Sequence, residues 1–484
     1  MKKKLTWAMI VVLTLICALT LAACGTGSTA ASDNSSDQSN NIDGETVYIT
    51  AYDLAVRNGF VGTEQQWLDS LKGEDGKDGK DGEDGVAMFT VSDLYDAAVL
   101  NGYTGTFLEF VKEYLGNTST TSDVTLAVNK GLLSAVSVIA TFSITPYYSY
   151  SNGRMVQVDK ESSGGAGVIY QIDKESGDAY VLTNFHIVYN ADSTSENKFS
   201  QNVTLYLYGS ETSGMGISAT VLGGSAYYDV AVLKVTGSEI LKNSDARACE
   251  IKEGDVVVGQ TAIAIGYPAA EGISATSGIV SVDNEYISLN IEGNNIYKTR
   301  EYRVDAAINS GNSGGGVYND EGKLIGIVNA RHNDSSTETI ENIGYVIPIS
   351  IVTGVADNVI DNCNGEDKVG VYKCMLGVTT SVPEEESKAV YDAETGLTSI
   401  VQKIVVTEIT EGGLVEGKLQ VGDVITGAKI GSETITATRG YHLSEFMLTA
   451  RVGDTVTVYY TRDGEEGSFD VTLTEECVTV YYTK

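Results

Sequence analysis

The chain has few basic residues and very few histidines. It contains 32 lysines and arginines against 65 aspartates and glutamates, and its formal net charge is −33. A surface with this excess of negative charge repels nucleic acid and anionic lipid headgroups, so neither is an expected partner. Only three histidines are present, His186, His332 and His442, which leaves few candidates for a catalytic base.

Long apolar runs are also scarce, and the one that stands out begins at residue 5. Lysines at positions 2–4 precede it and it ends at residue 23, which is the pattern of a secretory signal. Residues 21–24 read Leu-Ala-Ala-Cys and resemble a bacterial lipobox, which implies lipidation of Cys24; an ordinary signal peptide and an uncleaved anchor are the alternatives. No other run reaches the roughly 18 residues that a membrane span needs. We expect a soluble body outside the cytoplasm of a bacterium, anchored to the cell membrane by lipid.

Cysteines are few, and their spacing fits no metal-binding motif. Cys17 lies in the apolar leader, and the cysteines that remain besides Cys24 are Cys249, Cys363, Cys374 and Cys477. A Cys363–Cys374 disulfide and a set of unpaired thiols are both consistent with this spacing. No segment matches a phosphate-binding loop. The sequence therefore predicts neither a metal nor a cofactor.

An internal repeat precedes the rest of the chain. Residues 52–63 recur as residues 95–106, and each copy reads as a short helix, an Asn-Gly cap and a second amphipathic helix. Between the copies glycine occurs at every third position from Gly73 to Gly85, a collagen-like period. These triplets lack proline and are not expected to hold a triple helix by themselves. The repeats are interpreted either as spacers or as surface and partner attachment modules.

The most informative segment is residues 305–315, which read DAAINSGNSGG. The small residues around Ser313 allow a tight turn that presents a hydroxyl group and lets backbone N–H groups approach an oxygen anion. A serine nucleophile needs a base, and His186 follows a β-like run at 180–182. Asp229 opens another strand between the two. The order His, Asp, Ser along the chain is that of the chymotrypsin-like arrangement.

These motifs resemble those of HtrA/Deg-type trypsin-like serine proteases over about residues 131–484. Residues 183–188 (TNFHIV) and 229–234 (DVAVLK) resemble the histidine and aspartate motifs of that family, and residues 343–348 (IGYVIP) resemble the strand that lines its substrate cleft. The resemblance implies a mainly β protein: a chymotrypsin-like double β-barrel protease, each barrel with six strands, followed by a PDZ domain and preceded by the small helical repeats.

Two residues depart from the family pattern. Ser310 and Gly316 stand where the family commonly has proline. Proline restricts its own φ angle and the residue before it, so these replacements are expected to loosen the serine loop. The catalytic atoms themselves are unaffected by either change.

The resemblance implies a Ser-His-Asp acyl-enzyme mechanism. Ser313 would be the nucleophile, His186 its general base, and Asp229 the group that orients the imidazole. The backbone N–H groups of Gly311 and Ser313 would form the oxyanion hole, in which one donor is worth about 3–4 kcal/mol of barrier. The expected pocket for the side chain before the cut bond consists of Ile308, Asn309, Gly344 and Tyr345.

The expected substrates are unfolded or misfolded polypeptides. We identify no acidic residue at the base of the pocket, and by resemblance a small or medium aliphatic side chain is favoured before the cut bond. The family usually forms trimers through the segment that precedes the first barrel. Here that segment is residues 124–143, with Leu132, Leu133 and Phe142 as candidate contacts, so a homotrimer is predicted.

The last part of the chain resembles a PDZ domain of the bacterial protease type, on the turns at residues 422–425 and 452–454. Such domains add a peptide as an extra strand and bind its C-terminal carboxylate with backbone N–H groups. The groups implied here are those of Leu376, Gly377 and Val378. Phe446 and Met447 either line the apolar peptide pocket or belong to the domain core. His442 precedes the predicted PDZ helix, and contact with a bound peptide is one alternative for it, an absence of any binding role the other. His332 is expected in a solvent-exposed loop.

The predicted organisation divides the chain into nine segments. They are a lipoprotein signal peptide (1–23), a disordered linker (24–44), helical repeat 1 (45–73), a collagen-like tract (74–86), helical repeat 2 (87–116), a linker (117–130), the protease domain (131–360), a second linker (361–371) and the PDZ domain (372–484). Local patterns predict helices at 351–360 and 444–451 and an acidic insert at 383–394. Short strands are predicted at 136–142, 167–172, 203–207, 230–235, 261–265, 287–291, 324–328 and 400–409. Two functions follow: an endopeptidase that degrades or processes damaged proteins, or a catalytically silent PDZ adaptor or holdase.

Overall fold

The computed structural model describes Thr63 and residues 123–151, 154–210, 214–268, 272–292, 295–331, 343–365 and 367–482. The predictions for the signal peptide, Cys24, the helical repeats and the collagen-like tract lie outside the described residues, as does His332. Within the described ranges, no helix has the length and apolar character needed to cross a membrane.

The described residues form five α-helices and 23 β-strands. The helices are α1 (Asp123–Leu132), α2 (Phe185–Val188), α3 (Glu239–Asn243), α4 (Ile349–Asn362) and α5 (His442–Phe446). The strands of the protease domain are β1 (Ala135–Ser151), β2 (Arg154–Asp173), β3 (Asp178–Thr183), β4 (Asn202–Leu207), β5 (Ile217–Ser225), β6 (Val230–Val235), β7 (Glu250–Ile251), β8 (Thr261–Gly266), β9 (Ser274–Glu292), β10 (Asn295–Val304), β11 (Gly316–Tyr318), β12 (Lys323–Arg331) and β13 (Gly344–Pro348). Those that follow are β14 (Val371–Cys374), β15 (Val378–Ser381), β16 (Ser387–Asp392), β17 (Leu397–Gln402), β18 (Ile404–Ile409), β19 (Val424–Ile430), β20 (Glu433–Thr436), β21 (Thr455–Arg462), β22 (Glu465–Thr472) and β23 (Val478–Tyr481).

The first six strands close into a barrel in the order β1-β2-β3-β6-β5-β4. From Val138 to Ile144 every second residue of β1 is buried, which is the period-2 pattern of a strand with one face on a core. The fully buried side chains of Phe142 and Leu233 belong to that core. Closure leaves no open sheet edge, since the last strand pairs with the first. Phe142 was predicted as a trimer contact; this was wrong, because its side chain is only 2% exposed.

A second barrel follows, built from β8 to β13. Its strands run β11-β8-β9-β10-β13-β12, the pairing of β11 with β12 closes the ring, and β7 adds a short parallel strand on β12. The prediction of two six-stranded barrels is thus confirmed. The β9–β10 hairpin is long and reaches the first barrel, where Tyr297 joins the core and Ile291 packs against it.

Helix α1 corrects the predicted linker at 117–130. Asp123 in the first turn and Lys130 in the last complement the helix dipole, and Ala127 and Gly131 are buried. The backbone of Gly131 lies so close to the second barrel that an added Cβ would stand 2.5 Å from Ile265 Cδ1. The segment is therefore a packed helix from residue 123 onward.

Helix α4 confirms the helix predicted at 351–360 and extends it at both ends. Gly354 allows close packing against the PDZ domain, since an added Cβ would stand 2.6 Å from Leu448 Cβ. The predicted linker at 361–371 ends earlier than expected, because β14 starts at Val371. This strand pairs with β23 in a two-stranded sheet of its own.

The C-terminal strand packs against the first barrel. The Tyr482 ring lies 5.8 Å from Phe185 and 5.6 Å from Phe199, measured between ring centroids. The Tyr481 ring lies 5.8 Å from that of Tyr228. The Ala226 N–H donates to the Tyr482 carbonyl oxygen at 2.9 Å. The end of the PDZ segment is thus tied to the protease domain.

The PDZ domain contains the sheet β15-β18-β19-β21-β22, with β20 paired to β19. The strand predicted at 400–409 is broken at Lys403 into β17 and β18. The acidic insert contains a short 3₁₀ turn and β16, which pairs with β17 in a hairpin. Helix α5 is shorter than predicted and ends at Phe446. The four described cysteines are free thiols, so a Cys363–Cys374 disulfide is absent from the structure.

The PDZ and protease domains belong to one compact unit. Arg300 of β10 donates to the Glu445 carboxylate of α5, with 2.7 Å between Nη2 and Oε2. Arg439 makes a second ion pair across the same boundary, with Asp283 at 2.7 Å. These contacts fix α5 against the base of the β9–β10 hairpin.

Candidate active site

His186 lies on the short helix α2, directly after β3. Phe185, Ile187 and Val188 on either side of it are buried in or against the first barrel, with at most 3% exposure. Their burial turns the remaining side chain of that helical turn outward. The His186 side chain is 34% exposed and lies at the cleft between the barrels.

Asp229 is fully buried and has a backbone φ of 50°, which non-glycine residues seldom adopt. Such a conformation costs about 1–3 kcal/mol and needs support from its surroundings. Its carbonyl oxygen accepts hydrogen bonds from Asn184 Nδ2 at 3.0 Å and the Phe185 N–H at 3.2 Å. Its carboxylate accepts from the His186 backbone N–H at 3.0 Å and lies 2.7 Å from His186 Nδ1. The strained backbone is thus held by the segment that carries the histidine.

The carboxylate changes the protonation of the imidazole. Burial by itself lowers the pKa of His186, but the negative charge of Asp229 and the hydrogen bond to it act in the opposite direction and prevail. The pKa of His186 is therefore raised above its ordinary value. With Nδ1–H donating to Asp229, Nε2 is the nitrogen left to accept a proton.

Ser313 lies on the loop before β11, in a turn that two glycines make possible. Gly311 and Gly314 have φ angles of 96° and 81°, and a Cβ at Gly314 would stand 2.3 Å from the Ala166 carbonyl oxygen. The Ala166 N–H donates to the Ser313 carbonyl oxygen at 2.8 Å, which ties the loop to the first barrel. Ser313 Oγ donates to the Asn329 carbonyl oxygen at 3.1 Å. Within the described structure this hydroxyl makes no hydrogen bond to His186.

The backbone amides near Ser313 are oriented by neighbouring hydrogen bonds. The Gly311 carbonyl oxygen accepts from the Tyr267 N–H at 3.2 Å, and the Asn312 N–H donates to the Asn309 carbonyl oxygen at 3.0 Å. The N–H groups of Gly311 and Ser313 donate to no backbone carbonyl among the described residues. Both remain available to an oxygen of a bound molecule.

The departure from proline at Gly316 has a structural cause. A Cβ at this position would stand 2.5 Å from the Tyr318 ring, which fills the space beside the backbone. The Tyr318 hydroxyl lies 2.8 Å from Ser134 Oγ and is fully buried. The start of β11 is therefore packed by an aromatic ring, and we expect this packing to restrain the chain after the serine loop.

The cleft between the barrels has a volume of about 350 Å³. It brings together His186, Asp229 and Ser313 with two of the four predicted pocket residues. Its lining consists of His186, Asp229, Leu289, Asn290, Ile291, Ile308, Asn309, Ser310, Ser313 and Asn329. The other predicted pocket residues do not line it: Gly344 packs against the Ile308 side chain, and the Tyr345 hydroxyl lies 3.5 Å from Glu285 Oε1.

Sequence reasoning missed the contribution of the β9–β10 hairpin and of Asn329. Residues 287–291 are a predicted strand, but a local pattern does not show how far a hairpin reaches. The structure brings Leu289, Asn290 and Ile291 beside His186. Asn329 lies one residue after Val328, the last residue of the strand predicted at 324–328, and nothing in its sequence context indicates its place at the cleft.

In the PDZ domain, Leu376, Gly377 and Val378 lead into β15. Gly377 has a φ of 76°, so glycine suits this turn. Phe446 and Met447 are 8% and 3% exposed and pack in the PDZ core with Leu376.

His442 does not lie free beside the PDZ groove. Its Nε2 stands 3.5 Å from Asp255 Oδ2 of the protease domain. A second cavity, about 230 Å³, lies between the PDZ domain and the β9 strand. Its lining is Asn284, Tyr286, Thr380, Ser381, Val382, Gln402, Gly440 and Tyr441.

Comparison with known proteins agrees with this geometry. Residues 165–327 match the family described as trypsin-like peptidase domain, and residues 375–473 match the PDZ domain family. The chain is 31% identical over 370 residues to the serine protease Do-like HtrA of Lactococcus lactis subsp. lactis (strain IL1403), covering 73% of this chain and 83% of that protein. It is 30% identical over 324 residues to the serine protease Do-like HtrA of Bacillus subtilis (strain 168), covering 66% and 65%.

Solved structures of similar sequence include the HtrA-type protease AlgW with tripeptide, at 26% identity and a TM-score of 0.44, covering 73% of this chain and 96% of that one. The relationship to the Lactococcus lactis protein spans most of both chains, and this chain matches both the trypsin-like peptidase and the PDZ domain families. The chain therefore belongs to the HtrA family of serine proteases, and it is a trypsin-like serine endopeptidase with a C-terminal PDZ domain.

Proposed function

We propose that Ser313, His186 and Asp229 form the catalytic triad of this endopeptidase. The observation that carries the proposal is the pair of hydrogen bonds from His186 to the buried Asp229 carboxylate, at 3.0 and 2.7 Å, in the cleft that Ser313 also lines. This pairing orients the imidazole and stabilises the imidazolium that forms during reaction. Ser313 supplies the nucleophile that the first step needs.

The reaction begins with a rotation of the Ser313 side chain. Its hydroxyl leaves the Asn329 carbonyl oxygen and donates to His186 Nε2, which takes the proton as Oγ attacks the scissile carbonyl carbon. The amides of Gly311 and Ser313 donate to the developing oxyanion. His186 then returns the proton to the leaving amine, and water hydrolyses the acyl-enzyme through the same groups.

The proposed substrates are unfolded or damaged polypeptides. An extended chain fits a cleft that is open between two barrels, and Ile308 offers an apolar contact at the position of the side chain before the cut bond. The Ile308 side chain occupies the space beside Gly344. This shortens the pocket and favours a small or medium aliphatic side chain before the cut bond.

The PDZ domain is proposed to bind C-terminal peptides of substrates or regulators. The amides of residues 376–378 would bind the terminal carboxylate, and the peptide would pair with β15. Lipidation of Cys24, attachment to the outer face of a bacterial cell membrane and assembly into a homotrimer complete the proposal. They rest on the leader sequence and on the family.

A second candidate function is a catalytically silent PDZ adaptor or holdase. The observation that favours it is the hydrogen bond of Ser313 Oγ to the Asn329 carbonyl oxygen, since this hydroxyl does not engage His186 in the structure. In that case peptides would bind at the PDZ domain without being cut.

A fluorophosphonate probe separates the two functions. The purified full chain is incubated with the probe, with and without unfolded casein, beside Ser313→Ala and His186→Ala variants. Labelling of the wild type alone, together with cleavage of casein, is the expected result. Absence of labelling and cleavage in every condition, with peptide binding intact, would reject the endopeptidase in favour of the adaptor.

A further inference from the structure

A second acidic side chain is buried behind the cleft. Glu301 of β10 has 0% exposure, and an isolated buried carboxyl group is costly unless it is hydrogen-bonded. Its Oε1 accepts a hydrogen bond from Asn329 Nδ2 at 2.9 Å. Its Oε2 is buried without a hydrogen-bond partner in the described structure.

Asn329 connects this carboxyl group to the nucleophile. Its side chain is bonded to Glu301, while its backbone carbonyl oxygen accepts the hydrogen bond from Ser313 Oγ at 3.1 Å. Asn329 is 3% exposed and belongs to the lining of the cleft. A displacement of its side chain would also move the carbonyl group that sets the position of the serine hydroxyl.

The surroundings of Glu301 favour its uncharged form. Burial raises its pKa well above the usual range, the Asn329 hydrogen bond lowers it, the negative charge of Asp229 raises it, and Arg300 lowers it. An ionised Glu301 would raise the pKa of Tyr345 on the neighbouring strand β13, and Glu285 of β9 is the residue opposite Glu301 in the strand register. Arg303 of β10 is engaged with Glu285 at 3.3 Å.

We propose that Glu301 is a positioning residue of this protease: its carboxyl group holds the Asn329 side chain in the wall of the cleft, and through Asn329 it fixes the carbonyl group from which the Ser313 hydroxyl rotates toward His186. The proposal rests on the catalytic role proposed above for Ser313. Neutrality matters because an ionised Glu301 would place a second negative charge near Asp229 in a region that water does not reach.

Two substitutions separate the hydrogen bond from the charge. Glu301→Gln keeps an oxygen that accepts from Asn329 but has no acidic proton. Glu301→Leu removes the acceptor and leaves the buried Asn329 N–H groups unpaired. Glu285→Gln is the matched control, since it makes the same chemical change on the paired strand without a bond to Asn329.

The test is the rate of fluorophosphonate labelling of the full chain across a pH series, with casein kcat and KM at neutral pH. We expect Glu301→Gln to label within about twofold of wild type at neutral pH. Glu301→Leu should label about tenfold more slowly, with kcat reduced and KM little changed. Wild type and Glu285→Gln should lose labelling as the pH rises through the raised pKa of Glu301, and Glu301→Gln should not.

The outcomes distinguish this inference from the proposed function. If wild type neither labels nor cleaves casein, the catalytic role of Ser313 fails. If wild type is active and Glu301→Leu, shown to be folded by circular dichroism, labels at the wild-type rate, the positioning role fails. Should Glu301→Leu not fold, identical pH profiles of labelling for wild type and Glu301→Gln overturn the inference.

Discussion

The ion pair between Arg300 and Glu445 joins the protease and PDZ domains. Replacing Glu445 by alanine tests how much this pair contributes to the stability of the fold. The two side chains are 3% and 10% exposed. Glu445 Oε2 accepts from Arg300 Nη2 at 2.7 Å and from Ser350 Oγ at 2.6 Å. The guanidinium carbon lies 3.7 Å from the centre of the Tyr441 ring. Glu445→Ala would therefore leave a buried cation without its counter-ion.

The expected cost follows from that burial. Removing one partner of a buried ion pair costs about 3–5 kcal/mol, because the other charge stays out of water. Burial lowers the pKa of Arg300, but the effect of Glu445 is larger and raises it. The guanidinium therefore stays charged and cannot avoid the cost of burial by releasing its proton. The Asp283 carbonyl oxygen still accepts from Nη1 at 3.3 Å. We therefore expect Glu445→Ala to lower the unfolding free energy by about 3 kcal/mol, the lower end of this range.

Urea unfolding of the full chain measures this change as a shift in midpoint at constant slope. The control is Glu239→Ala, which removes an exposed pair with Lys242 at 2.7 Å and should cost under about 0.5 kcal/mol. The double variant Arg300→Met with Glu445→Met removes both charges and should lose less than Glu445→Ala alone. The reasoning would be refuted if Glu445→Ala cost no more than Glu239→Ala, or if the double variant lost more stability than Glu445→Ala alone.

Four further outcomes are expected at the catalytic site. Asp229→Asn should lower kcat by about 10⁴-fold, because the imidazole loses the acceptor that orients it, and initial rates on casein measure this; a loss below tenfold would contradict the role of Asp229. The acid limb of kcat/KM should lie above the ordinary histidine pKa of 6.5, because the pKa of His186 is raised. Because the pKa of His186 is raised, the Asp229–His186 pair stabilises the fold fully below pH 6.5, and this contribution is lost as the pH rises through the raised pKa of His186. The difference in unfolding free energy between wild type and Asp229→Asn should therefore shrink with rising pH. Gly314→Ala should lower the unfolding free energy by more than the about 1–3 kcal/mol of backbone strain, because its Cβ would stand 2.3 Å from a carbonyl oxygen. The control Gly237→Ala, at a φ of 63° in open space, should show the backbone strain alone. Equal unfolding midpoints for the two variants would be the contrary result.

The sequence was sufficient for the strands and for the candidate triad because both depend on local patterns. Alternation of apolar and polar residues marks β1 and β4, and the strands predicted at 230–235 and 261–265 are present as β6 and β8. Each triad residue carries its own flanking motif. The family and the order of these motifs then indicate two barrels with a cleft between them.

Other features depend on which distant surfaces meet. Helix α1 falls within the segment predicted as a polar linker, and it packs against Ile265 and Tyr318 of the second barrel. The reach of the β9–β10 hairpin to the cleft, and the contact of Tyr482 with Phe185, join segments far apart in the chain.

Glu301 illustrates the limit most clearly. In the sequence it is one acid among 65, and no local pattern separates it from a solvated one. Its burial and its link to Ser313 through Asn329 arise only when β10 and β12 enter the same closed barrel. Periodicity and motifs encode the local conformation of a segment, whereas burial, protonation and hydrogen-bond partners depend on the packing of the whole chain, because they are set by whatever surrounds a group in space.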